Sequence, residues 1–502
     1  MTTPAAKQAY AVIVGLGRTG LSCARYLRSR GWRLAVTDTR QKPPELARLA
    51  ELDARIPVSA GGLDTRLLEG ADCVVASPGV SLAEPFFVEA RRRGIEIVGD
   101  IELFARAVDA PVVGITGTNG KSTVTTLVGR MAERAGLRVR VGGNLGEPAL
   151  DLLAPRNANV PGAGAGGASV HVAAGASLQT SAGTSGIGAT AAHAAPTAAI
   201  ASSSATGLGS APTQLYVLEL SSFQLEATHS LALKAAVVLN VTPDHLDRYA
   251  SVEDYAVAKA RVFSHCETAV INLDDPLVVA MPRPGQKTVS FSLRASVGAD
   301  YAVAKRDGEW WLTHRDEPLM PVSAMKIKGL HNAANALASL ALGDALGLAM
   351  PAMLQELASF SGLPHRSQWV ADVGGVTYIN DSKGTNVGAT LAAVGGMQGP
   401  LVMIAGGDGK NQDFAELAGA FRGKVRHTVL IGRDAAAIAT ALKGVCTLET
   451  CVSLEDAVRA AAKAAQPGDI VLLSPACASL DMFRDYTHRG AVFTQAVKEL
   501  AT

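Results

Sequence analysis

The stretch that most constrains this chain is Gly114–Thr123, GITGTNGKST, directly after the apolar run Pro111-Val112-Val113. Short β-branched residues, then glycines around Thr and Asn, then Lys-Ser-Thr opening a helical pattern, read as strand, loop and helix. Such a loop exposes backbone N–H groups at a helix N-terminus, where orphan donors and the helix dipole both favour phosphate. Lys121 adds a positive charge for the outer phosphates, and Ser122 or Thr123 supplies a hydroxyl for Mg²⁺. The spacing between Gly114 and Gly120 is one residue longer than the usual P-loop allows. A glycine-rich turn with a solvated lysine is the alternative at this point.

A chain of 502 residues has room for roughly three domains of about 150 residues each. Its 46 basic and 45 acidic residues nearly cancel, so no global field draws nucleic acid or an anionic membrane. The six cysteines (Cys23, Cys73, Cys266, Cys446, Cys451 and Cys477) form no CxxC pair, which suits reduced thiols better than a disulfide framework or a zinc site. The start MTTPAAKQAY lacks the apolar stretch of a signal peptide, and nothing reads as a membrane span. A cytoplasmic protein is expected, with no nucleic-acid partner and no membrane insertion.

Residues 10–100 alternate short apolar runs (Tyr10–Val14, Leu34–Thr37, Cys73–Ala76, Ile95–Val98) with helical patterns such as Leu21–Arg30. That alternation argues a parallel α/β sheet. Its first turn, Gly15-Leu16-Gly17-Arg18-Thr19-Gly20, is a GxGxxG, and Asp38 ends the next strand at about the fingerprint distance. A nucleotide on the helix terminus and a turn needed only for packing both remain open.

A second α/β unit starts near Glu102 and runs through Arg138–Val141 to Gly142-Gly143-Asn144. From Asn157 to Leu218 no residue is charged, and Ala, Gly, Ser and Thr dominate. Few large side chains there offset the entropy of ordering, so 155–213 reads as a flexible insertion. Strands are expected again at Leu215–Leu220 and Ala235–Val241, with a helix over Tyr255–Phe263. An antiparallel patch near 268–272, 288–292, 300–304 and 309–313 is expected to pack Trp310 and Trp311, and Lys328–Asn332 opens a long Ala/Leu helix to Leu346. Beyond Leu363 a third α/β unit ends its strands in polar loops: 380–383, 406–410, 432–434 and 474–479. Open α/β sheets place ligands at such carboxyl ends. The expected fold is therefore α/β in three domains: residues 1–100, Rossmann-like; 101–362, a P-loop-type ATP-binding domain with the insertion and the antiparallel patch; and 363–502, again Rossmann-like.

Taken alone, Glu219 reads either as a Mg²⁺ ligand or as a solvated carboxylate at a strand end. His245 reads as a hydrogen-bonded structural histidine, since imidazole suits softer metals, and Lys259 as a surface lysine. The wider set of motifs changes this. GTNGKST, LELSSFQLE (218–226), NVTPDHLDRY (240–249), AKARVF (258–263), GLHN (329–332), LPHR (363–366), NDSKGTN (380–386), GGDGK (406–410) and SPACASLD (474–481) resemble the Mur ligases, most closely those that add D-glutamate. The resemblance spans nearly the whole chain outside 155–213.

It implies an ATP-dependent, Mg²⁺-requiring enzyme of peptidoglycan precursor synthesis, joining D-glutamate to UDP-N-acetylmuramoyl-L-alanine through an acyl phosphate. ATP would lie on Gly117, Thr118, Asn119, Gly120, Lys121, Ser122 and Thr123, with Asn332, Arg366 and Asp381 around the nucleotide. Mg²⁺ would be held by Ser122 or Thr123, Glu219, His245 and a carbamylated Lys259, so that Lys121, Glu219, His245 and Lys259 carry the chemistry. Arg18, Thr19, Asp38, Thr39, Gly79 and Asn144 match the UDP side, and Lys383, Thr385, Lys410, Ser479 and Leu480 the D-glutamate side. A monomer working on small molecules is implied. The sequence departs from the family pattern in the length of the insertion, in Arg18 where an apolar residue is familiar, and in Tyr486 where a Phe is. Other readings are a Mur-type ligase for another amino acid, a folylpolyglutamate synthase, a nicotinamide oxidoreductase built on GLGRTG, and a nucleotide-binding module without catalysis.

Overall fold

Glycine turns follow several of the short β-branched strands, and the described residues build three sheets. The computed structural model describes residues 8–153, 212–242, 244–245, 248–397, 399–409 and 412–500. The insertion expected at 155–213, apart from 212 and 213, lies outside the described residues, as does Lys410.

The first sheet contains β1 (Tyr10–Val14), β2 (Arg33–Asp38), β3 (Val58–Ala60), β4 (Cys73–Ala76) and β5 (Glu96–Gly99), in the order β3-β2-β1-β4-β5. All neighbours are parallel. β1, YAVIV, is buried along its whole length, as a parallel strand covered on both faces must be. The helix Arg18–Ser29 starts at the GLGRTG turn and buries Leu21, Cys23, Ala24 and Leu27.

The second sheet holds β6 (Val112–Thr116), β7 (Val139–Gly143), β8 (Leu215–Glu219), β9 (Leu233–Val238), β10 (Cys266–Asn272), β11 (Lys287–Ser292), β12 (Tyr301–Arg306), β13 (Glu309–His314) and β14 (Glu317–Pro321). Their order is β14-β13-β12-β11-β10-β9-β6-β8-β7. The expected antiparallel patch is smaller than the sequence suggested. β10 and β11 pair parallel with each other and with β9 and β12, and only β12, β13 and β14 are antiparallel. The connections explain this. Asp307-Gly308 and Arg315-Asp316 take left-handed backbone angles, the geometry of tight hairpins, whereas the stretch between β10 and β11 includes the helix Pro276–Val279 and allows a crossover. Trp310, expected to pack, is 48 % exposed because strand alternation points it outward, near Lys305.

The helix Leu330–Ala345 is apolar almost all round and packs between this sheet and the Lys121–Arg134 helix. Its Leu337, Leu340 and Leu342 are fully buried, each contributing about 1.5–3 kcal/mol.

The third sheet comprises β15 (Gln368–Val373), β16 (Val376–Asn380), β17 (Leu401–Gly406), β18 (Val425–Ile431), β19 (Thr447–Thr450) and β20 (Ile470–Leu473), in the order β15-β16-β20-β17-β18-β19. Only β15 runs antiparallel. The carboxyl ends of β6 and β9 and of β16 lead into loops that face one another across a shared cavity. None of the described helices is long and apolar enough to cross a membrane.

Candidate active site

β6 delivers the chain to Gly117, and the Lys121–Arg134 helix begins at Gly120, whose φ of +85° suits a residue without a side chain. A Cβ there would stand 2.3 Å from Asn335 Oδ1. Asn240, just past β9, clamps the loop. Its side chain accepts from the Asn119 amide at 2.8 Å and donates to the Asn119 carbonyl at 3.2 Å, while its own carbonyl accepts from the Thr118 amide at 2.9 Å. The Thr118 hydroxyl accepts from the Thr242 amide at 3.1 Å.

Lys121 folds back over this loop, donating to the Gly117 and Thr118 carbonyls at 2.9 Å each. Burial lowers its pKa, and the carboxylates of Glu219 and Asp244 oppose that. Lys259 is not at the surface. It is 1 % exposed, donates to the Gly117 carbonyl at 3.0 Å and lies 4.1 Å from the Tyr255 ring centre. Burial, and then the charge of Lys121, bring its ammonium down to about 7.

Glu219 ends β8 and is 3 % exposed, so it is no solvated carboxylate. One oxygen accepts from Ser122 Oγ at 2.7 Å and the other from Asn144 Nδ2 at 2.8 Å. A buried carboxylate beside a hydroxyl at a phosphate loop offers the hard oxygen donors that Mg²⁺ takes when it also shares substrate phosphates. The ammonium of Lys259 has no lone pair to give, so in that form it is no metal ligand. His245 adopts φ +54°, with its ring 4.8 Å from that of Phe223 and Nε2 3.6 Å from Asp244. Among the described residues no three His, Cys, Asp or Glu side chains form a metal cluster.

A cavity of about 860 Å³ opens beside the loop, lined by Asn119, Gly120 and Thr123 on one side and by Arg366, Asp381, Lys383 and Thr385 on the other. Asn332 also lines it, held by a bond from its Nδ2 to the Lys328 carbonyl at 2.8 Å and by one from Asn335 Nδ2 at 3.2 Å. Burial pushes the Asp381 carboxyl up to about 6, against hydrogen bonds from Ser474 Oγ (2.8 Å) and the Ser367 amide (3.0 Å). Asn240, Asn335, Phe291 and His331 also line it, and sequence reasoning assigned them no role. Asn335 was findable, because it sits one helical turn beyond Asn332.

Of the residues expected on the amino-acid side, Lys383 and Thr385 line this cavity and Ser479 and Leu480 do not. Lys383 Nζ stands 4.2 Å from the Tyr486 ring centre. Ser479 is buried and Leu480 is 68 % exposed. Lys410 lies outside the described residues.

A second cavity, about 520 Å³, gathers Arg18, Thr19, Asp38, Thr39, Gly79 and Asn144, with Arg40, Ser77 and Gln224 in addition. The Leu16 amide donates to Asp38 Oδ2 at 2.7 Å, and Arg40 grips both oxygens of the same carboxylate. Burial pushes that carboxyl up, but the bonds from Arg40 and Leu16 outweigh it and hold it at about 2. Arg18 reaches across to the Gly146 carbonyl at 2.9 Å. The GLGRTG turn thus faces a cavity.

Three family models match in order: the N-terminal domain of MurD-like Mur ligases over residues 9–99, the Mur ligase middle domain over 166–343, and the glutamate ligase domain of Mur ligases over 365–477. The chain is 45 % identical to the UDP-N-acetylmuramoylalanine–D-glutamate ligase of Nitrosococcus oceani, covering 98 % of this chain and 97 % of that protein. The ligase of the same name from Pseudomonas aeruginosa is 44 % identical, with 98 % of each chain covered. Among solved structures, the UDP-N-acetylmuramate–alanine ligase MurC of Thermotoga maritima superposes with a TM-score of 0.51 at 17 % identity, over 98 % of this chain and 99 % of that one. MurF ligase of Thermotoga maritima, in complex with ADP, superposes with a TM-score of 0.50 at 14 % identity, over 98 % of each. Both show the three-part α/β fold.

Proposed function

The chain belongs to the Mur ligase family, and from that premise we propose that it joins D-glutamate to UDP-N-acetylmuramoyl-L-alanine at the expense of ATP. The observation that carries this reading is Glu219, which hydrogen-bonds the phosphate loop through Ser122 and the GLGRTG-side cavity through Asn144. A nucleotide on the loop and a UDP-linked substrate in the second cavity would therefore turn their reacting ends toward the same carboxylate.

The chemistry follows from charge. A substrate carboxylate oxygen attacks the γ-phosphorus of ATP, the bond to the β-γ bridging oxygen breaks, and an acyl phosphate and ADP result. The D-glutamate amine then adds to the activated carbonyl, loses a proton, and phosphate leaves to give the amide. The first step brings two anions together, so positioning and electrostatics dominate. The loop amides, Lys121 and Arg366 would hold ATP phosphates, with Asn332 and Asp381 beside the nucleotide. Lys383 and Thr385, with Lys410, Ser479 and Leu480, would receive the amino acid. Arg18, Thr19, Asp38, Thr39, Gly79 and Asn144 would receive the UDP group. Ser122 or Thr123, Glu219, His245 and a carbamylated Lys259 would hold Mg²⁺, which supplies charge neutralisation at the transferring phosphoryl group.

In this reading residues 1–100 bind the UDP-substrate, 101–362 bind ATP and 363–502 bind the amino acid, in a cytoplasmic monomer. Light scattering at twice one chain's mass would remove the monomer. Phosphate release by purified protein, with UDP-N-acetylmuramoyl-L-alanine and a panel of amino acids, tests the activity. Release that depends on D-glutamate supports it; release with L-alanine or a diamino acid but not D-glutamate overturns it.

A further inference from the structure

The loops after β16, β17 and β20 are separate in sequence, yet one side chain touches all three. Arg489 stands in the helix Tyr486–Glu499, which Asp485 caps by accepting from the His488 amide at 2.7 Å. It is wholly buried. A guanidinium has five N–H donors, and five acceptors meet them. Nε donates to Ser382 Oγ at 3.0 Å, and Nη2 to the Ser382 and Cys477 carbonyls at 2.9 and 3.1 Å. Nη1 donates to the Ala478 and Gly406 carbonyls at 3.3 and 3.5 Å. Ser382 precedes Lys383, Ala478 precedes Ser479, and Gly406 opens the GGDGK turn.

The fit is tight. Gly407 has φ +129°, and a Cβ there would stand 2.2 Å from the Ala478 carbonyl oxygen and 3.3 Å from Arg489 Nη1. Among the described residues Arg489 makes no ion pair. A buried cation without a carboxylate partner is expensive, and an apolar side chain would serve packing better. Burial lowers the guanidinium pKa only to about 10, so it keeps its charge at neutral pH. Carbonyl oxygens at strand carboxyl ends would repel an anionic ligand. Here the guanidinium engages four of them and puts a positive charge behind the loops, which the Asp481 and Asp381 carboxylates offset only from beyond ion-pair contact.

We propose that Arg489 is a positioning residue for an amino-dicarboxylate substrate: it fixes the Lys383, Gly406 and Ser479 loops in one arrangement and supplies the buried positive charge that favours the second carboxylate. This rests on the reading of the third segment as the amino-acid site.

The test is steady-state kinetics of Arg489→Met and Arg489→Lys, with D-glutamate, ATP and UDP-N-acetylmuramoyl-L-alanine varied in turn and D-glutamine as a competing amine. Arg489→Met should raise the KM for D-glutamate about tenfold or more, leave the other two KM values within about twofold, and reduce the preference for D-glutamate over D-glutamine. Arg489→Lys, which keeps the charge, should restore part of that preference. An unchanged D-glutamate KM in Arg489→Met, or an equal rise in all three, overturns the inference. If Arg489→Met does not fold, Arg489→Lys decides: a rise confined to the D-glutamate KM supports the inference, and an unchanged value overturns it. Failure of the unaltered enzyme to use D-glutamate would instead overturn the proposed function.

Discussion

Lys121 and Lys259 place their ammonium groups on one acceptor, the Gly117 carbonyl, at 2.9 and 3.0 Å. Two cations sharing an oxygen repel, and Lys121 is the second cause, after burial, of the lowered pKa of Lys259. A lysine so placed readily gives up its proton, and only a deprotonated amine reacts with CO₂ to become an oxygen ligand. Replacing it with Lys259→Ala should lower kcat by about a hundredfold or more, and short-chain carboxylic acids should restore part of the loss. Full activity in Lys259→Ala, read by phosphate release, would remove the carbamate role.

Glu219→Gln keeps the side-chain size but removes the negative charge between Ser122 and Asn144. The Mg²⁺ concentration for half-maximal turnover should rise by about tenfold or more. A titration indistinguishable from that of the unaltered enzyme would exclude Glu219 from the metal site.

Asp38 accepts from the Leu16 amide and from Arg40 with both oxygens. In Asp38→Asn an amide nitrogen faces these donors, leaving a buried donor unpaired at a cost of about 1–3 kcal/mol. The KM for the UDP-substrate should rise while that for D-glutamate stays put. Parallel changes in both would show that Asp38 acts only through stability.

Asp100 gives a pH signature. Burial raises its carboxyl from 3.8 to about 6, against a hydrogen bond from Gln224 Nε2 at 2.9 Å, and its Oδ1 is buried without a partner. The folded state thus binds the proton more tightly than the unfolded state. Its contribution to stability is largest below the unfolded value and falls as pH rises through the folded one. Asp100→Asn should therefore gain Tm relative to the unaltered protein more at about pH 7.5 than at about pH 4.5. Calorimetry showing the same difference at both would contradict this.

Local signals carried much of the fold. β1 and β6 stand out because buried parallel strands followed by glycine turns and amphipathic helices leave contiguous patterns, and the motif residues around Lys121, Glu219 and Asp38 fall on two cavities. What stayed hidden depends on contacts distant in sequence. The face of the AKARVF helix that buries Lys259 is set by its packing near Gly117. The hold of Asn240 on Asn119 crosses from one strand end to another. β14 and β15 were missed because each joins the edge of its sheet only through antiparallel hairpin pairing, and the parallel pairing of β10 with β11 depends on a connection whose helix is short. Arg489 looks like any helix arginine until three loops close around it.

The most direct measurement uses UDP-N-acetylmuramoyl-L-alanine with oxygen-18 in its carboxylate, together with ATP, Mg²⁺ and D-glutamate. An acyl-phosphate ligase must transfer one labelled oxygen to the released phosphate and retain the other in the new amide. Phosphate with one oxygen-18, formed only when D-glutamate is turned over, is the expected result. Unlabelled phosphate accompanying amide formation would contradict the account.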